Sequence, residues 1–219
     1  ILLILERDRM RKLALSDEIL LKVDKAARYI GGEVNSVMKD KNEVEIRFAM
    51  CFPDVYEIGM SNLGMMILYN MFNQREDVWC ERLFSPWPDL DKVMREQNIP
   101  LFALESQEPI RDFDFLGITL GYEMCYTNIL QVLDLSGIPL KSADRGEDFP
   151  IVIGGGACAY NPEPLADFID LFMIGDGEEL LEQVCLLKME CDSKKEFLQR
   201  ACKLQGVYVP AFYEPIYNE

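Results

Sequence analysis

The sequence predicts an α/β domain, a Rossmann-like or flavodoxin-like three-layer arrangement on a mostly parallel sheet of about five strands. Three observations predict it. Short β-rich apolar runs alternate with segments of helical period between residues 44 and 203. Phe115–Leu120 is apolar without alternation, as in a central strand covered on both faces. Two further runs end in glycine turns, Gly154-Gly155-Gly156 and Gly175-Asp176-Gly177, and the second of these enters a helix.

Taken in order, residues 1–30 are charged, with Leu13, Leu15, Ile19, Leu20 and Val23 at helical spacing. Ser16 followed by Asp17 and Glu18 marks a helix start. An N-terminal helical lead is therefore expected over 1–40, punctuated by Gly31-Gly32. Val44–Met50 alternates and then becomes apolar, and it reads as the first strand. Leu63–Phe72 reads as a buried helix, Val78–Phe84 as the second strand and Pro86–Gln97 as a helix with Pro88 in its first turn. Pro100–Leu104 is expected to be a short strand. Tyr126–Leu135 follows the central strand as a helix, stopped by Gly137 and Pro139. Ile151–Ile153 and Leu171–Ile174 are the next strands, and Glu178–Lys188 and Lys194–Lys203 the last helices. Residues 41–190 thus form the expected Rossmann-like domain. Residues 191–219 are a helix and then an aromatic, turn-rich stretch, Gly206–Pro215, that reads as a linker to further chain.

Composition narrows the chemistry. The 219 residues carry 38 acidic against 22 basic side chains, a net charge of −16, which disfavours nonspecific nucleic-acid binding. No apolar run reaches the roughly 20 residues that span a bilayer, and the opening Ile1-Leu2-Leu3-Ile4-Leu5 is too short for a signal peptide. A cytoplasmic protein is expected. The seven cysteines form no C-x-x-C or C-x-x-x-C-x-x-C motif and read as reduced thiols, with Cys158 set apart by its place after the triglycine. There is no histidine, which removes Ser-His-Asp and Cys-His catalysis, His-ligated zinc and the commonest base near neutral pH. No catalytic residue and no metal ligand is assigned.

Ligands of open α/β folds bind outside the carboxyl ends of the strands. The candidate binding residues therefore fall in three groups. Asp54, Tyr56, Glu57, Gly59, Ser61 and Asn62 follow the first strand, although Ser61 or Asn62 is also expected to cap the next helix. Tyr122 and Glu123 follow the central strand. Gly154, Gly155, Gly156, Ala157 and Cys158, with Gly175, Gly177 and Glu178, form the two glycine turns. Glycine admits close backbone approach and positive φ. The acids of the second turn also suit a helix N-terminus, whose dipole they offset. The turns match neither G-x-G-x-x-G nor a Walker A loop, so dinucleotide and nucleoside-triphosphate binding are disfavoured.

The stretch Ala27-Arg28-Tyr29-Ile30-Gly31-Gly32-Glu33 and the strings FPDVYEIGMSNLG, SPWPDL, LGITLGYEMCYTNIL, GGGACAYNPEPLADF, IGDGEE and GVYVPAFYEP resemble the N-terminal region of B12-binding-domain radical SAM proteins. The resemblance covers nearly the whole chain. It implies a cobalamin-binding-type domain that positions a corrinoid or substrate beside a following radical SAM barrel of the same protein. The [4Fe–4S] cluster and S-adenosylmethionine belong to that barrel, so the segment alone performs no radical chemistry. Tyr56 stands where the family's cobalt-ligating His would be, and Thr119-Leu120-Gly121 where Ser-x-Leu would be. Gly154-Gly155 matches the paired glycines. Cobalamin would then be held without a protein imidazole, its nucleotide tail in a slot lined by Gly154, Gly155 and Gly175. The alternatives are a degenerate interaction module that binds no cobalamin and a small-ligand or nucleotide sensor of flavodoxin-like topology.

Overall fold

The strands Ile46–Phe52 (β1), Val78–Phe84 (β2), Phe115–Thr119 (β3), Ile151–Gly155 (β4), Leu171–Met173 (β5) and Val207–Tyr208 (β6) form one sheet. Its order is β2-β1-β3-β4-β5-β6, in a computed structural model that describes residues 12–214 and Ile216. The first five strands are parallel and β6 is antiparallel to β5. The five parallel strands follow the 2-1-3-4-5 order of doubly wound folds. The sequence α/β expectation therefore holds, with one strand more.

Each strand alternates its side chains between two covered faces. Ala49, Leu116, Ile118 and Val152 meet helices Pro88–Gln97 and Tyr126–Leu135 on one face. Phe48, Phe115, Ile153 and Leu171 meet Leu63–Asn73, Gly177–Met189 and Lys194–Ala201 on the other. In chain order these helices are α1 (63–73), α2 (88–97), α3 (126–135), α4 (177–189) and α5 (194–201). A run of phenylalanines joins the second face, with ring centroids 4.9 Å apart for Phe72–Phe48, 5.6 Å for Phe48–Phe115 and 5.7 Å for Phe115–Phe197. Gly117 makes room for that run, because a Cβ there would lie 2.5 Å from the Phe48 ring.

Three expectations are corrected. Residues 12–30 are not one helical lead. They hold a single α-turn, Asp17–Leu20, and a 3-10 turn, Ala26–Arg28. Leu15, Ile19 and Val23 are buried against the α2–α3 face, yet so short a piece does not repay helix nucleation alone. Ser16 sits at the N-cap position without a side-chain hydrogen bond. The opening run Ile1–Leu5 lies outside the described residues. Pro100–Leu104 makes only an isolated bridge, Phe102 to Pro109. The chain turns back at Gln107, with φ 65°, too soon for a strand. The Gly206–Pro215 stretch supplies β6, through Phe172↔Tyr208 and Met173↔Val207.

Edge strand β2 is sealed by ion pairs. Arg82 is fully buried, and its Nε donates to Glu105 at 2.6 Å. Its other nitrogens donate to Asn35 and Ser36, both at 3.0 Å, so a strap over residues 33–39 is tied down. Arg47 bridges Glu81 and Glu108 at 2.7 and 2.6 Å.

Candidate functional site at the carboxyl edge

Because β1 to β5 run parallel, the loops that follow them emerge at one edge of the sheet. Strand β1 leads to α1 on one face and β3 leads to α3 on the other, so their loops diverge at the switch point, the crevice position where ligands of such folds usually bind. Tyr122 spans it, its phenol donating to the Asp54 carboxylate. Asn128 Nδ2 donates to the Pro53 carbonyl at 2.9 Å and fastens α3 to the same loop. The Ser85 amide donates to the Asp54 carbonyl at 3.0 Å, joining the β2 loop. The neighbouring carboxylate pushes the Tyr122 phenol up to about 12.

The remaining residues after β1 are engaged locally. Tyr56 donates to Glu33 and sets its ring edge-on to Phe84 at 5.5 Å. Burial, then the Glu33 bond, raise its phenol to about 12. Glu57 accepts from Arg28 and Lys25, each at 3.0 Å, and these bonds pull its carboxyl down to about 2. Both side chains thus point to the N-terminal segment rather than over the crevice. Gly59 is buried where a Cβ would lie 2.2 Å from the Phe84 ring. Ser61 Oγ donates to the Ile58 carbonyl at 2.8 Å, and Asn62 Oδ1 accepts the Met65 amide at 2.9 Å as the cap of α1.

The β3 and β4 ends are held in register by Thr119↔Gly155. The Leu120 amide donates to the Gly155 carbonyl at 2.6 Å, and the Cys158 amide to the Leu120 carbonyl at 2.9 Å. Gly156 requires its glycine: φ is +110° and a Cβ would meet the Leu120 oxygen at 3.0 Å. The paired glycines differ. Gly154 is packed, its position filled by the side chains of Leu120 and Phe172 at 3.0 Å. Gly155 lies on the opposite face, where a Cβ would find only the Met173 Cβ at 3.9 Å. Gly121 and Gly175 face open space. Ala157 begins the 3-10 turn Ala157–Tyr160, and Cys158 within it is half-buried.

Gly177 starts α4 beside Leu68 of α1, with exposed Glu178 and Glu179 in the first turn. Their charges oppose the helix dipole. Asp176 holds the N-cap position without a side-chain bond. Glu123 opens a 3-10 turn, exposed.

The structure therefore brings together Asp54 with Tyr122 and Thr119 with Gly155, and draws Tyr56 and Glu57 away. Sequence reasoning missed Asn128 and the partners Lys25, Arg28 and Glu33. A polar Asn in the first turn of the helix that follows the central strand was the signal for Asn128. No group of three or more Cys, Asp or Glu among the described residues could hold a metal ion. No described helix is long and apolar enough to cross a membrane.

The family model described as radical SAM proteins, N-terminal, matches residues 64–210. The uncharacterized protein MJ0966 of Methanocaldococcus jannaschii is 26% identical over 131 residues, which are 59% of this chain and 24% of that protein. The chain thus matches about a quarter of its relative's length. No solved structure matches.

Proposed function

We propose, for a chain that belongs to the N-terminal family of radical SAM proteins, that its carboxyl edge holds a corrinoid and presents it to a radical SAM barrel of the same protein. The observation that carries this reading is the room beside three glycines, Gly121, Gly155 and Gly175, at the ends of neighbouring parallel strands. Gly155 and Thr119 would receive the nucleotide tail on the α1–α4 face. Gly121 and Gly175 would admit the amide-rich rim. Gly154 is closed by Leu120 and Phe172 and is not part of this slot.

The residues fit a corrinoid that takes no ligand from this chain. There is no histidine, and Tyr56 is committed to Glu33. The bound group would supply a cobalt centre for methyl transfer or a related radical step. The chain's own work is to orient it: the Asp54–Tyr122 bond and the Asn128–Pro53 bond fix the two crevice loops against each other. Acting in the cytoplasm, and drawing the cluster and S-adenosylmethionine from the barrel, belong to the same proposal.

The Tyr56–Glu33 bond also favours the second reading, an interaction module that has given up the corrinoid. Retention of hydroxocobalamin through exhaustive desalting separates the two. Bound corrinoid near one per chain supports the first reading, and a colourless, folded protein supports the second.

A further inference from the structure

The loops of the carboxyl edge share a composition that corrinoid binding alone does not require. Residues 53–67, 120–127, 156–165 and 174–179 contain no lysine or arginine. Every one of these segments carries carboxylates: Asp54 and Glu57, then Glu123, then Glu163, then Asp176, Glu178 and Glu179. Lys25 and Arg28 approach from the N-terminal segment, and both bind Glu57.

The same loops expose large apolar side chains. Leu63 is 72% exposed, Met124 85% and Tyr160 74%, on the connections after β1, β3 and β4 respectively. Along α1 only Met65, Tyr69 and Phe72 are buried, although the helix is apolar round most of its circumference. A helix of that composition is ordinarily covered. Single exposed apolar residues need no explanation, but several gathered on successive loops of one edge mark a contact surface.

We infer that this edge docks a positively charged protein segment that carries its own apolar anchors. Apolar contacts at the centre supply affinity, and the surrounding carboxylates set orientation and partner choice. Polyanions such as nucleic acid and anionic lipid are repelled by the same charge. A second copy of this chain would set carboxylates against carboxylates at a net −16 each. The inference rests on the carboxyl edge being the working face, as proposed above, and does not depend on a corrinoid being bound.

Photo-cross-linking in the full-length protein tests it, with p-benzoylphenylalanine placed at Met124 and, as a control, at Leu186, which is 44% exposed within α4. The expected result is cross-linking at Met124, absent at Leu186, to peptides in which lysine and arginine outnumber acids. Raising salt to 1 M, where the Debye length falls to about 3 Å, should reduce that yield roughly threefold or more. Equal yields at the two positions, capture of acidic peptides, or cross-links to a second copy would overturn the inference. The measurement is made with and without hydroxocobalamin. Cross-linking without corrinoid leaves the docking surface intact even where corrinoid binding fails.

Discussion

The phenol of Tyr122 donates to the carboxylate of Asp54, and this bond joins the loops that diverge at the switch point between β1 and β3. It ties together the two loops between which a ligand of this fold would sit.

Tyr122→Phe should loosen those loops while leaving the fold intact, because the bond is solvent-exposed and such bonds contribute only about 1 kcal/mol. The pH dependence has a defined sign. The folded phenol titrates near 12, above the ordinary 10, so the contribution is complete below pH 10 and is lost as pH rises through 12. Ultraviolet titration should show several late phenols, Tyr56 and Tyr208 among them, one fewer of which remains late in Asp54→Asn.

Glu57 behaves oppositely. Its bonds to Arg28 and Lys25 hold its carboxyl at about 2, below the ordinary 4.5. Their contribution is present above pH 4.5 and disappears as pH falls through 2. Exposure keeps it small. NMR titration of the side-chain carbonyl should find the Glu57 midpoint raised toward 4.5 in Arg28→Ala.

Gly155→Leu fills the space beside Met173 without touching Gly156, whose positive φ holds the turn. Corrinoid retention should fall to background with an unchanged circular dichroism spectrum. Unaltered retention would remove the slot from the account. Gly156→Ala should instead destabilise the whole domain, by about 1–3 kcal/mol.

Removing one member of the Arg82–Glu105 pair leaves the other charge buried, since both side chains are fully inaccessible. Glu105→Ala should cost about 3–5 kcal/mol, read as a lower urea midpoint. The double variant Arg82→Met/Glu105→Leu should recover much of that loss, because well-packed apolar replacements of buried pairs are often neutral.

The sheet was legible in the sequence where burial imposes a pattern. Val78–Phe84 and Tyr126–Leu135 are bounded as their periodicity indicates. Strand β6 was not, because two residues carry no periodicity and depend on pairing with Phe172 and Met173 more than 30 positions away. The loops were legible as a place, since parallel strands deliver them to one edge. The direction of Tyr56 was not: Glu33, across the Gly31-Gly32 turn, decides it. Nor did the sequence distinguish Gly154 from Gly155. Alternation puts them on opposite faces, and only one face leaves space.

The most direct measurement is the visible absorption spectrum of the folded protein after incubation with hydroxocobalamin and exhaustive desalting. The expected result is retained corrinoid near one per chain, with bands showing no protein imidazole on cobalt. A colourless protein that remains folded by circular dichroism would contradict it.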